Sequence, residues 1–221
     1  MLADLRLYQL ISPSLPIGAF TYSQGMEWAI EAGWVRDECA LEQWLESVLN
    51  HSISTLELPV LIRFFRAFEQ HDVVSIDYWT EFLLASRETS ELRKEERQRG
   101  QALATLLPNL DVPIDDDVID AVRSTQVAGF ALAAKHFEIS INSACAGYLW
   151  SWIDNAVMAG VKLVPLGQTS GQKLLLRLSE RVPAAVEQAL AVSDEDVGSS
   201  TPALAIASSR HETQYTRLFR S

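Results

Sequence analysis

The chain is 221 residues long, 48% hydrophobic and 21% charged, a composition that supports a sizeable globular core in one domain or two small ones. Its formal net charge of −11 argues against nucleic acid as a partner, because phosphate recognition needs a basic patch. Cys39 and Cys145 are isolated thiols without CxxC spacing, so they frame neither a zinc site nor a disulfide scaffold.

Helical periodicity dominates the chain in order. Leu2, Leu5 and the 7–11 run predict a short first helix, ended by the Ser12–Pro13 and Leu15–Pro16 pairs. Thr21 reads as the N-cap of a helix through Ala32, with Gly33 where a C′ glycine belongs. Asp37 caps the next, which carries Leu41, Trp44, Leu45, Val48 and Leu49 on one face. Further helices are expected from Ser54 to Gln70 and from Ser75 to Leu107, with a break near Thr89–Ser90. Pro108 and Pro113 punctuate a loop, and the acids Asp115 to Asp117 favour the start of a helix that runs on to His136. Asn142 to Val164 and Gly171 to Ala191 complete the series. No segment alternates as a strand does. The expected fold is an all-α, single-domain helical bundle.

The stretch from Ser193 to Thr201, SDEDVGSST, is acidic and lacks large apolar residues. The expected organisation is therefore a helical body over 1–192, a flexible linker over 193–207 and a docking tail over 208–221. The tail gathers Arg210, Tyr215, Arg217, Leu218, Phe219 and Arg220; aromatics and arginine are enriched at interface hot spots, and apolar residues are depleted in free tails. The least charged stretch, 139–172, holds Asp154, Lys162 and Pro165 and suits a buried helix better than a membrane span. The opening MLADLRLYQL lacks signal-peptide anatomy, so a soluble cytoplasmic protein is expected.

Motifs for chemistry are scarce. His51, His71, His136 and His211 show no metal-ligand spacing, and no metal or cofactor is expected. Gly167 to Lys173 lacks the GK[ST] ending of a phosphate loop and reads as a helix–helix turn. GxSxG is absent, and neither cysteine has a histidine near it in sequence, so no catalytic residue is singled out. The run RETSELRKEERQR (Arg87 to Arg99) reads as a solvated helix face with Arg87–Glu91 and Glu95–Arg99 pairs four apart. Lys162, Asp154 and Glu27 stand among apolar neighbours, either as polar stripes of amphipathic helices or as interface charges. The loop Ser12 to Gly25, stiffened by prolines, is a candidate recognition loop through Pro16, Gly18, Phe20, Tyr22, Ser23 and Gln24.

Four blocks carry a resemblance. LYQLISPSLPIGAFTYSQGMEWAIEAGWV (7–35), RETSELRKEERQRGQAL (87–103), YLWSWIDNAVMAGVKLVPLGQT (148–169) and STPALAIASSRHETQYTRLFRS (200–221) resemble the urease accessory protein F family, UreF, in order and along the whole chain. Thr21, Met26 and Ser170 are small departures. The resemblance implies an all-α, non-catalytic homodimer that binds the accessory protein UreD (also called UreH) and recruits the GTPase UreG, so that nickel enters apo-urease. It also implies that Glu27 and Lys162 belong to the GTPase-facing surface. The tail, through Arg210, His211, Glu212, Gln214, Tyr215, Arg217, Leu218, Phe219 and Arg220, is implied to order against UreD. A small α-helical enzyme with a site assembled in space, or an adaptor unrelated to metals, are the alternatives that the residues leave open.

Overall fold

The computed structural model describes residues 1–199 and 201–221, and every described element is helical. In chain order they are α1 (Leu2–Leu10), α2 (Met26–Glu31), α3 (Glu38–Val48), α4 (Leu58–Gln70), α5 (Val73–Ala85), α6 (Ser90–Leu106), α7 (Ile119–Ser124), α8 (Gln126–His136), α9 (Ile141–Leu163), α10 (Gln168–Ser179), α11 (Val182–Ala191) and α12 (Pro202–His211). A π-helical stretch, Leu49–Glu57, joins α3 to α4 without a loop.

Local chemistry accounts for most boundaries. Asp37, Asp72, Thr89, Thr125 and Ser140 each accept a backbone N–H from the first turn of the helix they precede. Thr125 divides the expected 118–136 helix into α7 and α8. Thr21 does not cap α2. Its hydroxyl donates to the Gly18 carbonyl inside a 3₁₀ turn, and Gly18, Gln24 and Gly25 all adopt positive φ, which delays the helix to Met26. Gly33 at φ 74° does end α2 as expected.

The centre is α4. Its sequence LPVLIRFF is apolar on nearly every side, which marks a helix surrounded by others. Leu58, Val60, Leu61, Ile62 and Phe64 are completely buried. Helices α5, α8, α9 and α11 pack around it. Full burial of such side chains contributes about 1.5–3 kcal/mol each. Arg63 is the polar exception, with its guanidinium on Asp194 (Nε–Oδ1 3.0 Å) and on the Val192 carbonyl (2.6 Å). That bond, buried Val197 and a Gly198 N–H to Thr55 carbonyl contact (3.0 Å) fasten the acidic 193–199 stretch to the body. The expected linker over 193–207 is thus anchored at its start and helical from Pro202 onward.

The Arg87–Arg99 run differs most from expectation. Arg87 is buried and pairs with Glu57 (2.9 Å) and Glu96, not with Glu91. Burial alone disfavours the Arg87 cation, and the two carboxylates outweigh it, holding the group protonated well above its ordinary range. Thr125 Oγ1 donates to Glu96 (2.7 Å), and the Tyr148 hydroxyl donates to Glu57 (3.0 Å). Helices α6, α8 and α9 therefore meet the π-helical stretch in one buried polar network. The expected Glu95–Arg99 pair forms at 3.1 Å, yet Glu95 is 3% exposed rather than solvated.

Replacing Arg87 with alanine leaves Glu57 and Glu96 without their cation, and urea denaturation should show a loss of roughly 3–5 kcal/mol. Burial pushes the Cys145 thiol up to about 12, whereas Cys39 is exposed. At mild alkaline pH a thiol reagent should therefore modify Cys39 in the native chain and reach Cys145 only on unfolding.

Candidate functional site, the clasped C-terminal segment

The residues singled out at the two ends of the sequence converge in space. Helix α12 lies against α2, close enough that a Cβ on Gly25 would sit 2.6 Å from the Ser208 amide nitrogen. Gly25 also has φ 82°, so both the approach and the turn require glycine there. Ser208 is fully buried and shares a 2.8 Å hydrogen bond with Thr89 at the start of α6. Past α12, the chain folds back over a cleft between α2, α6 and the 18–25 loop.

Glu27 holds this segment. The residue is 6% exposed, and its two side-chain oxygens accept the Leu218 (2.7 Å) and Phe219 (3.0 Å) backbone N–H groups. His211 is fully buried between Glu27 (Nε2–Oε2 3.3 Å) and Glu91 (Nδ1–Oε2 2.7 Å). Arg217 closes on the other Glu91 oxygen at 2.6 Å. Glu212 accepts from the Ser90 N–H and hydroxyl and from the Glu91 N–H, a carboxylate seated on the N-terminus of α6. The Ser90 hydroxyl is the main reason its carboxyl titrates below the ordinary range.

The 18–25 loop completes the grip. Arg220 N–H donates to the Thr21 carbonyl (2.9 Å), and Ser23 donates to the Ser221 carbonyl through its N–H and hydroxyl (both 2.7 Å). The Ser221 hydroxyl donates to Glu95 (3.1 Å), which also accepts from Gln24 and Arg99. Burial raises the Glu95 carboxyl above its usual range, and neighbouring Glu96 adds to the effect. Behind Ser23 lies a cavity of about 60 Å³ lined in part by Tyr22, Gln24, Glu95, Arg99 and Tyr148.

The candidate residues sort by exposure. Tyr22, Ser23 and Gln24 face inward, with Tyr22 donating to Gln98 and Gln24 accepting from Trp152. Pro16 and Phe20 are exposed, and Gly18 at φ 72° makes the turn between them. In the tail, His211 and Phe219 are buried, whereas Arg210, Glu212, Tyr215, Arg217, Leu218 and Arg220 are exposed. Gln214 donates to Glu31. Tyr215 and Leu218 project an apolar surface at 102% and 76% exposure. Lys162 is exposed at the end of α9, its ammonium 5.9 Å from the Phe219 ring centroid. Glu27 and Lys162 thus meet at one tail residue, Phe219. Asp154 lies elsewhere on α9, where burial raises its carboxyl.

Sequence reasoning does not single out Glu91 and Glu95 as site residues. A usable signal is present, since Leu92, Glu95, Glu96, Gly100 and Leu103 follow one helical stripe and all are buried. Ser208, Thr89 and Ser221 carry no comparable signal, because their roles depend on where α12 docks. Among the described residues no cluster of three or more His, Cys, Asp or Glu is arranged to hold a metal ion.

The UreF family model matches residues 35–179. A protein of Alcanivorax borkumensis named urease accessory protein UreF is 54% identical, covering 99% of this chain and 98% of its own length. Proteins of the same name from Alkalilimnicola ehrlichii and Klebsiella pneumoniae are 49% and 48% identical, covering 100% and 98% of this chain. Glu27 and the tail fall beyond the 35–179 match, whereas the similarity to these three relatives runs over nearly the whole chain.

Glu27→Gln keeps the volume and removes the charge that receives two tail amides and His211. Tryptic cleavage after Arg217 and Arg220 should accelerate by roughly one to two orders of magnitude, given about 1.5–3 kcal/mol for a charged hydrogen bond. The helical signal of the body should be unchanged.

Proposed function

The chain belongs to the UreF family, and from that premise we propose that it is a non-catalytic accessory protein of urease maturation. In this reading it works as a cytoplasmic homodimeric scaffold. It binds the accessory protein UreD (UreH) and recruits the GTPase UreG, so that nickel, as cargo, is delivered to apo-urease. The observation that carries the reading is similarity along nearly the full chain to proteins named urease accessory protein UreF. The absence of any described helix long and apolar enough to cross a membrane is compatible with it.

The geometry supports a division of labour. Tyr215 and Leu218 stand outward on a segment whose other side is clamped by Glu27, so they are the apolar groups available to UreD. Exposed Trp34 and Ile206 border the groove that Tyr215 overhangs, extending this surface. Lys162 offers an exposed cation at the edge of the tail, suited to an acidic patch on the GTPase. Glu27, being buried, serves either partner through the tail rather than by touching it.

Co-purification with the urease operon products tests the scaffold reading. Retention of UreD and UreG is expected, and turnover by the isolated chain would favour an enzyme instead. Tyr215→Ala and Leu218→Ala should each weaken the UreD complex by about 2 kcal/mol while leaving the free chain's melting temperature unchanged. Lys162→Ala should likewise melt as the parent does while altering urease activation in a co-expression assay. A large drop in melting temperature with proportional loss of activity would assign Lys162 to stability alone.

A further inference from the structure

The environment of His211 goes beyond any partner reading. Its ring is fully buried, and each nitrogen faces a carboxylate, Glu27 on one side and Glu91 on the other. An ionised carboxylate only accepts hydrogen bonds, and a neutral imidazole has one N–H to give. Neutral His211 would therefore set a nitrogen lone pair against a carboxylate oxygen in a site closed to water. A ring carrying both protons satisfies both carboxylates.

Charge counting leads the same way. The charged groups around His211 are Glu27 from α2, Glu91 from α6 and, on the far side of Glu91, Arg217 from the tail. Glu212, next in the chain, is occupied by Ser90 and the Glu91 N–H, and Lys162 from α9 lies over Phe219. With His211 protonated, two cations balance the two carboxylates. Without that proton, one buried negative charge is left over. The unbalanced oxygen is shared with the tail, since Glu27 Oε2 accepts from both His211 and the Phe219 N–H.

We propose that His211 is a proton-dependent clasp for the C-terminal segment. Protonated, it locks Glu27 and Glu91 in the positions that receive Leu218, Phe219 and Arg217. Deprotonated, it repels one of them and frees residues 217–219 while α12 stays docked through Ser208. The sign follows from the donor count: the clasp holds on the acid side of the His211 titration and loosens as pH rises through it. His211 is thus a positioning residue, acting on the tail through two carboxylates.

The test uses the full chain without a partner. The His211 ring protons are followed by NMR from about pH 5.5 to 8.5, together with the amide signals and heteronuclear NOEs of residues 217–219. A His211→Gln variant assigns the ring signal and serves as the uncoupled control. The expected result is a common midpoint for the ring and for Leu218 and Phe219, with lower NOEs on the alkaline side. In His211→Gln the tail NOEs should be low at every pH, while core amides such as Leu61 and Ala128 keep their positions. A ring that titrates without moving Leu218 and Phe219 would overturn the proposal. So would a ring that does not titrate over an ordered tail, or an ordered, pH-responsive tail in His211→Gln.

Discussion

One guanidinium buried against two carboxylates, Arg87 against Glu57 and Glu96, governs how the helices meet. Taking three charges out of water costs several kcal/mol per ion and is offset only if geometry and secondary hydrogen bonds are both complete. Completion draws on every neighbour. The π-helical stretch supplies Glu57, α6 supplies Glu96, the Thr125 cap of α8 bonds Glu96, and Tyr148 of α9 bonds Glu57 and receives Gln126. Apolar packing around α4 provides most of the burial. The polar network provides registry, because a helix shifted by one residue would orphan a charge.

The same helix carries the consequence to the surface. With Glu96 turned to Arg87, Glu95 beside it faces the 18–25 loop, and Glu91 one turn earlier faces α12. Together with Glu27, three carboxylates line the cleft on a chain of net charge −11. The last segment brings what they lack, in Arg217, His211 and the N–H groups of Leu218 and Phe219. Its docking thus follows from charge placement in the body. Its outer side remains apolar at Tyr215 and Leu218, which is why one segment can be both fastened and available.

The all-α fold was legible because apolar residues recur at helical spacing and a cap such as Asp37 stands at the right place. The tail's aromatics and arginines pointed to docking on a partner protein, whereas in this structure Phe219 and Arg217 contact the body and Tyr215 stays outside. Lys162, which the sequence left open between a polar stripe and an interface charge, is exposed. What did not show was the inside of the charged run. Counting i,i+4 pairs sent Arg87 and Glu95 to solvent, although Glu95 and Glu96 share a stripe with Leu92 and Leu103. Whether a charge on such a stripe is buried depends on a partner thirty residues or more away, such as Glu57 for Arg87. The delay of α2 to Met26 escaped for a related reason, since Gly25 answers to Ser208 on a helix far along the chain.

The central claim is that the C-terminal segment of the free chain is held by the body through Glu27. Hydrogen–deuterium exchange of the isolated chain at single-residue resolution measures it directly. The account predicts protected amides at Leu218, Phe219 and Arg220, whose N–H groups are bonded to Glu27 and Thr21, beside fast exchange at Tyr215 and Thr216. Uniformly fast exchange from Tyr215 to Ser221, with the body still protected, would contradict it.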